Sequence, residues 1–176
     1  MYYIRQVTWV GLGFACLAAI PSIAAETSTA RPPSVASPDL ISLADASTMA
    51  KAALDACAGR GLPTTVVIAD SNGFQRVAMS DDNAKLIGVT HTRLKAAVVV
   101  DFKASSGVIS KRLQDDPQFA SQYDKDARYL FQPGGLPIYR DGQFVAVISV
   151  GGSGNANEEC ALAGVKAVTW ARTDMP

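Results

Sequence analysis

The sequence predicts an α+β domain, an antiparallel sheet with helices packed against it, because two β-hairpin signals lie between segments of helical periodicity. The first signal is Asn72-Gly73, set between the β-branched run Thr64 to Ala69 and its partner Phe74 to Met79. Asparagine and glycine tolerate the positive φ that a two-residue turn demands. The second is Asp141-Gly142, between Leu136 to Arg140 and the run Gln143 to Val150. That last run is apolar without alternation, which predicts a central strand buried on both faces.

Around these hairpins the helices fall in order. Leu43 to Ala58 is alanine-rich, with Leu43, Ala46, Ala50, Ala53 and Leu54 near helical spacing and Gly59 and Gly61 ending it. Asp81 or Asp82 is placed to cap a second helix running to Phe102, and a shorter one spans Ser105 or Ser106 to Leu113. Asp115 to Gly135 reads as a long loop carrying Phe119, Tyr123, Tyr129 and Phe131. Loops of that length in a domain are usually functional or shield something. Gly151-Gly152-Ser153-Gly154 then turns the chain into a last helix, Asn157 to Ala171. No internal repeat is visible.

Ahead of the domain stands a tripartite N-terminus. Met1 to Gln6 carries one positive charge, Arg5, and Val7 to Ile20 is apolar apart from Thr8 and glycines. Pro21 ends the run, and Ser22-Ile23-Ala24-Ala25 supplies small residues before a cleavage placed after Ala25. This order is that of a secretory signal peptide, residues 1–25. The apolar run is shorter than the ~20 residues that cross a bilayer, and no stop-transfer charges follow. A lipoprotein anchor at Cys16 would call for leucine where the chain has Gly13. Residues 26–38, ETSTARPPSVASP, have almost no apolar side chains and read as a flexible linker to the domain at 39–176. The expected location is therefore periplasmic or secreted, with no membrane span after processing.

Without Arg5 the chain has 15 basic against 16 acidic residues. That balance points away from nucleic acid and from anionic membranes. Once Cys16 leaves, Cys57 and Cys160 remain, either as a disulfide or as two buried thiols.

A family resemblance rests on six segments in order. They are Leu43-Ala44-Asp45-Ala46, Val67-Ile68-Ala69-Asp70-Ser71-Asn72-Gly73, Leu94-Lys95-Ala96-Ala97, Pro133-Gly134-Gly135-Leu136-Pro137-Ile138, Asp141-Gly142, and Val147-Ile148-Ser149-Val150-Gly151-Gly152. Together they resemble the GlcG/HbpS-like heme-binding family from Leu40 to Trp170. The resemblance implies a profilin-like α-β sandwich with an antiparallel sheet of about five strands, a homo-oligomer, and in some members binding of heme. The chain departs from the family pattern at Ser71-Asn72-Gly73, at Ser80 to Ala84 and at Gly152 to Asn157, while the acidic pair Glu158-Glu159 is kept.

Candidate chemistry is sparse. His91 is the only histidine, which excludes a three-histidine zinc site and a bis-histidine heme within one chain. It shares a predicted helical stripe with Ile87, Leu94 and Val98, and reads either as a core or interface residue or as an axial heme ligand. In the second case iron's other position falls to Met79, a tyrosine, Lys95 or water. Lys95, one turn on, either snorkels to solvent or meets a carboxylate, whether a heme propionate or a small organic acid. Gly134 and Gly135, with Gly151 and Gly152, are either plain turn chemistry or donors of backbone N–H groups to the same anion.

No Gly-x-Ser-x-Gly elbow is present, and Asp70, Asp81 and Asp82 fit a turn or a cap as well as acid–base work. No catalytic residue is assigned. Two functions stay open: exported heme binding for sequestration, delivery or sensing, and an exported small-organic-acid binder, isomerase or lyase.

Overall fold

Ser42 caps α1 (Leu43–Ala58), its hydroxyl accepting a hydrogen bond from the Asp45 N–H at 3.0 Å. The computed structural model describes residues 40–174, so the signal-peptide and linker assignments lie outside the described residues. After α1 come β1 (Thr65–Asp70), β2 (Gln75–Ser80), α2 (Gly88–Phe102), α3 (Ser106–Asp115), α4 (Pro117–Tyr123), β3 (Gly135–Arg140), β4 (Gln143–Gly151) and α5 (Asn157–Lys166).

The strands form an antiparallel sheet in the order β2-β1-β4-β3. Both hairpins lie where the Asn-Gly and Asp-Gly pairs predict, and β4 is central and buried nearly throughout. Among the described residues there are four strands, against the five expected. A fifth position is reduced to one bridge, where Tyr139 and Arg172 exchange backbone hydrogen bonds beside β3.

Two layers of helix cover the sheet. On one face Val66, Ile68, Ile148 and Val150 meet Met49, Ala50 and Ala53 of α1 and Ala161 and Val165 of α5. Small residues set this approach: a Cβ at Gly164 would lie 2.6 Å from both Ile148 Cδ1 and the Met49 carbonyl oxygen. On the other face Ala69 and Val147 pack against Ala96 and Val99 of α2.

Three helix boundaries differ from the periodicity. The second helix begins at Gly88, because Asp81 instead closes a turn, accepting the Asn83 N–H at 2.9 Å. The long loop contains α4, whose start is an Asp116 cap followed by Pro117 at the first helical position. The last helix stops at Lys166. Beyond it, Trp170 donates to Asp45 and the Arg140 guanidinium stacks on its ring, 3.7 Å from the centroid. The loop's aromatic side chains gather around Phe102, which touches Phe119, Tyr123, Tyr129 and Phe131. This cluster fastens the segment after α4 to the outer side of α2.

A disulfide joins Cys57 at the end of α1 to Cys160 in α5, with Cα atoms 5.7 Å apart and 103 residues between them in sequence. Constraining so long a loop in the unfolded chain stabilises by up to about 4.7 kcal/mol in the chain-entropy treatment. Thiol titration of the denatured, unreduced protein lacking residues 1–25 should find no free thiol. The double substitution Cys57→Ala, Cys160→Ala should lower the unfolding free energy by about 2–5 kcal/mol in urea titrations, with the secondary structure retained.

Candidate functional site

The buried face of α2 is unusual in carrying Lys95, only 2% exposed, among Thr92, Ala96, Val98 and Val99. Its Nζ donates to the Val150 carbonyl at 2.5 Å and to the Pro133 carbonyl at 3.4 Å. Both acceptors are neutral, so the ammonium has lost most of its water without gaining a directly paired carboxylate. Burial lowers the Lys95 pKa from 10.5 to about 8, and the Glu158 carboxylate opposes part of that shift.

Glycines make room for this side chain. Gly134, at φ +130°, has no Cβ where one would lie 2.8 Å from Asn157 Cβ and 3.0 Å from Lys95 Nζ. Gly151 permits a second close approach: a Cβ there would overlap the Thr92 hydroxyl and lie 3.4 Å from Lys95 Nζ. That hydroxyl is fully buried and has no hydrogen-bond partner. Asn157 ties the two glycine segments together, accepting the Ser153 N–H at 3.0 Å and donating to the Pro133 carbonyl at 3.4 Å. The Ser153 hydroxyl in turn bonds Thr64 and lies 3.0 Å from Cys57 Sγ, a disulfide sulfur that can only accept, which anchors the loop to the disulfide.

Lys95 lies in the wall of a cleft of about 240 Å³ whose lining includes His91, Gln132, Gly151, Gly152 and Asn157. The structure thus brings together His91, Lys95, Gly151 and Gly152. Gly134 stands behind the amine, and Gly135 packs against Val99 and Ser106, where it donates to the Ser106 hydroxyl at 2.8 Å.

His91 is exposed at the mouth of the cleft, away from the buried stripe of α2. The stripe drawn through Ile87, Leu94 and Val98 does not form: Val98 is fully buried whereas Ile87 is 50% exposed. Met79 packs on the opposite sheet face with Val66 and Ile68, and among the described residues Tyr123 and Tyr129 lie in the aromatic cluster and Tyr139 beside Lys103, so none of them supplies a group to this cleft. The Ser153 N–H is taken by Asn157 rather than offered to an anion. Asp70 accepts from the Asn72 and Phe74 N–H groups, each at 3.0 Å, and serves the hairpin turn.

Four participants escaped the sequence reading: Thr92, Gln132, Asn157 and Glu158. Only Glu158 carried a signal, as half of the retained acidic pair. Its carboxylate sits beside Gly107 in the first turn of α3, where the helix dipole favours negative charge.

The model for a family described as "Haem degrading protein HbpS-like" matches residues 41–166. The chain belongs to the HbpS-like family. A double mutant of Streptomyces reticuli HbpS shares 29% identity with it at a TM-score of 0.67, over 82% of this chain and 98% of that one. The heme complex of PduOC shares 20% identity at a TM-score of 0.70, over 77% and 99% of the two chains. Klebsiella pneumoniae protein ORFY shares 20% at 0.66, over 72% and 89%. At that identity the last two speak for the common fold alone. No curated protein matches. The match covers every residue that lines the cleft, from Pro63 to Asn157.

The displaced Lys95 pKa has a consequence for stability. Because the folded value, about 8, lies below the ordinary 10.5, the unfolded chain binds this proton more tightly across that window. Stability from this residue therefore rises as pH increases from about 8 to 10.5. Urea unfolding of wild type against Lys95→Met should show the difference moving in favour of wild type by up to about 3 kcal/mol between pH 7 and pH 10.5. A difference that stays flat would mean the amine is not desolvated.

Proposed function

We propose that this protein is an exported heme-binding protein, serving sequestration, delivery or sensing, in which His91 ligates iron and Lys95 meets a propionate. One observation carries the reading: an exposed histidine and a buried lysine, one helical turn apart, line the same cleft in a protein of this family. The PduOC neighbour, a heme complex of the same fold, supports it.

The residues fit the group's edge. A propionate needs a cation and hydrogen-bond donors; in the cleft's lining Lys95 offers the first and the Gln132 amide the second. About 240 Å³ is below the range that encloses a drug-sized ligand, so most of the ring would remain outside this chain. With Met79 and the tyrosines elsewhere, iron's other position falls to water or to a second molecule. A homo-oligomer that covers the ring follows from the same reasoning. Heme, when bound, supplies a redox-active iron and a Soret band; the chain supplies orientation and charge.

Titration of the purified protein with hemin should give a saturable Soret shift. His91→Ala should change or abolish that spectrum, whereas Lys95→Ala should weaken binding roughly tenfold to a hundredfold, the ~1.5–3 kcal/mol of one charge-assisted hydrogen bond, without altering the ligand field. An unchanged spectrum in His91→Ala rejects the ligand assignment. No saturable binding in wild type rejects heme and leaves the small-organic-acid reading, which the modest cleft volume favours.

Export is supported by the tripartite N-terminus and by the disulfide, a bond that persists in oxidising compartments. Mass spectrometry of the protein from its native host should find a mature chain starting at Glu26, and an intact Met1 in the cytoplasm would sink the proposal.

A further inference from the structure

We propose that Lys95 is a covalent capture site for a small 2-oxo acid, its Nζ condensing with the ligand's carbonyl to form an imine in the cleft that Lys95 lines with His91 and Gln132. The geometry around the nitrogen is the first reason. A neutral amine has two N–H bonds and one lone pair; the Val150 and Pro133 carbonyls engage two positions, and nothing described engages the remaining one. Lys95 lines the cleft of about 240 Å³ together with Gln132, Gly152 and Asn157, so a carbonyl carbon bound there meets the amine.

The second reason is charge. The titratable side chains lining the cleft are Lys85, His91 and Lys95, with no carboxylate among them. Glu158 of α5, whose carboxylate lies against Gly107 of α3 and is not in that lining, acts on Lys95 through its charge. The cleft therefore selects an anion, and a 2-oxo acid carries a carboxylate beside its carbonyl. Burial also keeps a sizeable share of the amine neutral near pH 8, as an amine nucleophile requires.

The step balances without a co-reactant. The nitrogen lone pair attacks the carbonyl carbon, an N–C bond forms, and the C=O π pair moves to oxygen, which takes the proton the nitrogen loses. The hydroxyl then leaves as water with the second nitrogen proton, and the C=N bond remains.

The test is reductive trapping of the heme-free protein with pyruvate and cyanoborohydride at pH 8, followed by peptide mass spectrometry. At that pH about half of an amine with pKa 8 is neutral, against under about 1% for an ordinary lysine. Lys95 should be labelled at least about tenfold faster than the exposed Lys51 and Lys111, which pair with Asp55 and Asp115. Gly151→Ala, whose methyl would crowd Lys95 Nζ, should slow the labelling. Lys95 labelled no faster than Lys51 and Lys111 in wild type overturns the proposal, and this comparison needs no variant to fold. Equal labelling by propanal overturns the selection for an acid. Failure of hemin binding leaves this result untouched, and failure of trapping leaves the heme titration untouched, so the two readings fall separately.

Discussion

Everything near the cleft depends on how one buried ammonium is held. Lys95 reaches from α2 to the Val150 carbonyl at the end of the central strand and to the Pro133 carbonyl at the end of the long loop. Those two bonds link three parts of the chain that are 38 and 55 residues away in sequence. Desolvating a charge is costly unless its protons are used, and here backbone oxygens use them in place of a carboxylate. The cost leaves a cation that is buried, incompletely partnered and next to open space, which is what a binding site for an anion requires.

The surrounding structure is arranged to sustain that state. The aromatic cluster on Phe102 fixes the far side of α2 and delivers Gln132 and Pro133 to the cleft. Asn157 holds the two glycine segments at a set distance, and Ser153 fastens the second of them to the Cys57–Cys160 bridge. Stability and site share these contacts. The disulfide steadies the α1 and α5 layer and, through Ser153, the loop that forms one wall of the cleft.

Much of the fold was legible in the chain. Asn72-Gly73 and Asp141-Gly142 located both hairpins because few residue pairs accept the backbone angles such turns need, and Leu43 to Ala58 was located by its helical spacing and the glycines that follow it. Misplaced boundaries have local causes. Asp81 served a turn before it could serve a cap, and the Asp116-Pro117 start of α4 was obscured by the aromatic residues that follow it.

For the site, sequence alone determined the identities: one histidine, one lysine a turn beyond it, glycines in two segments and a cysteine pair. Spacing along a helix determined that His91 and Lys95 could share a cleft. Only the tertiary structure decided that Lys95 is the buried member and His91 the exposed one, that Met79 faces the other side of the sheet, and that Thr92 lacks a partner. The reason is physical. Burial and hydrogen-bond satisfaction are set by which distant backbone carbonyls arrive beside a side chain, and local periodicity carries no record of that arrival.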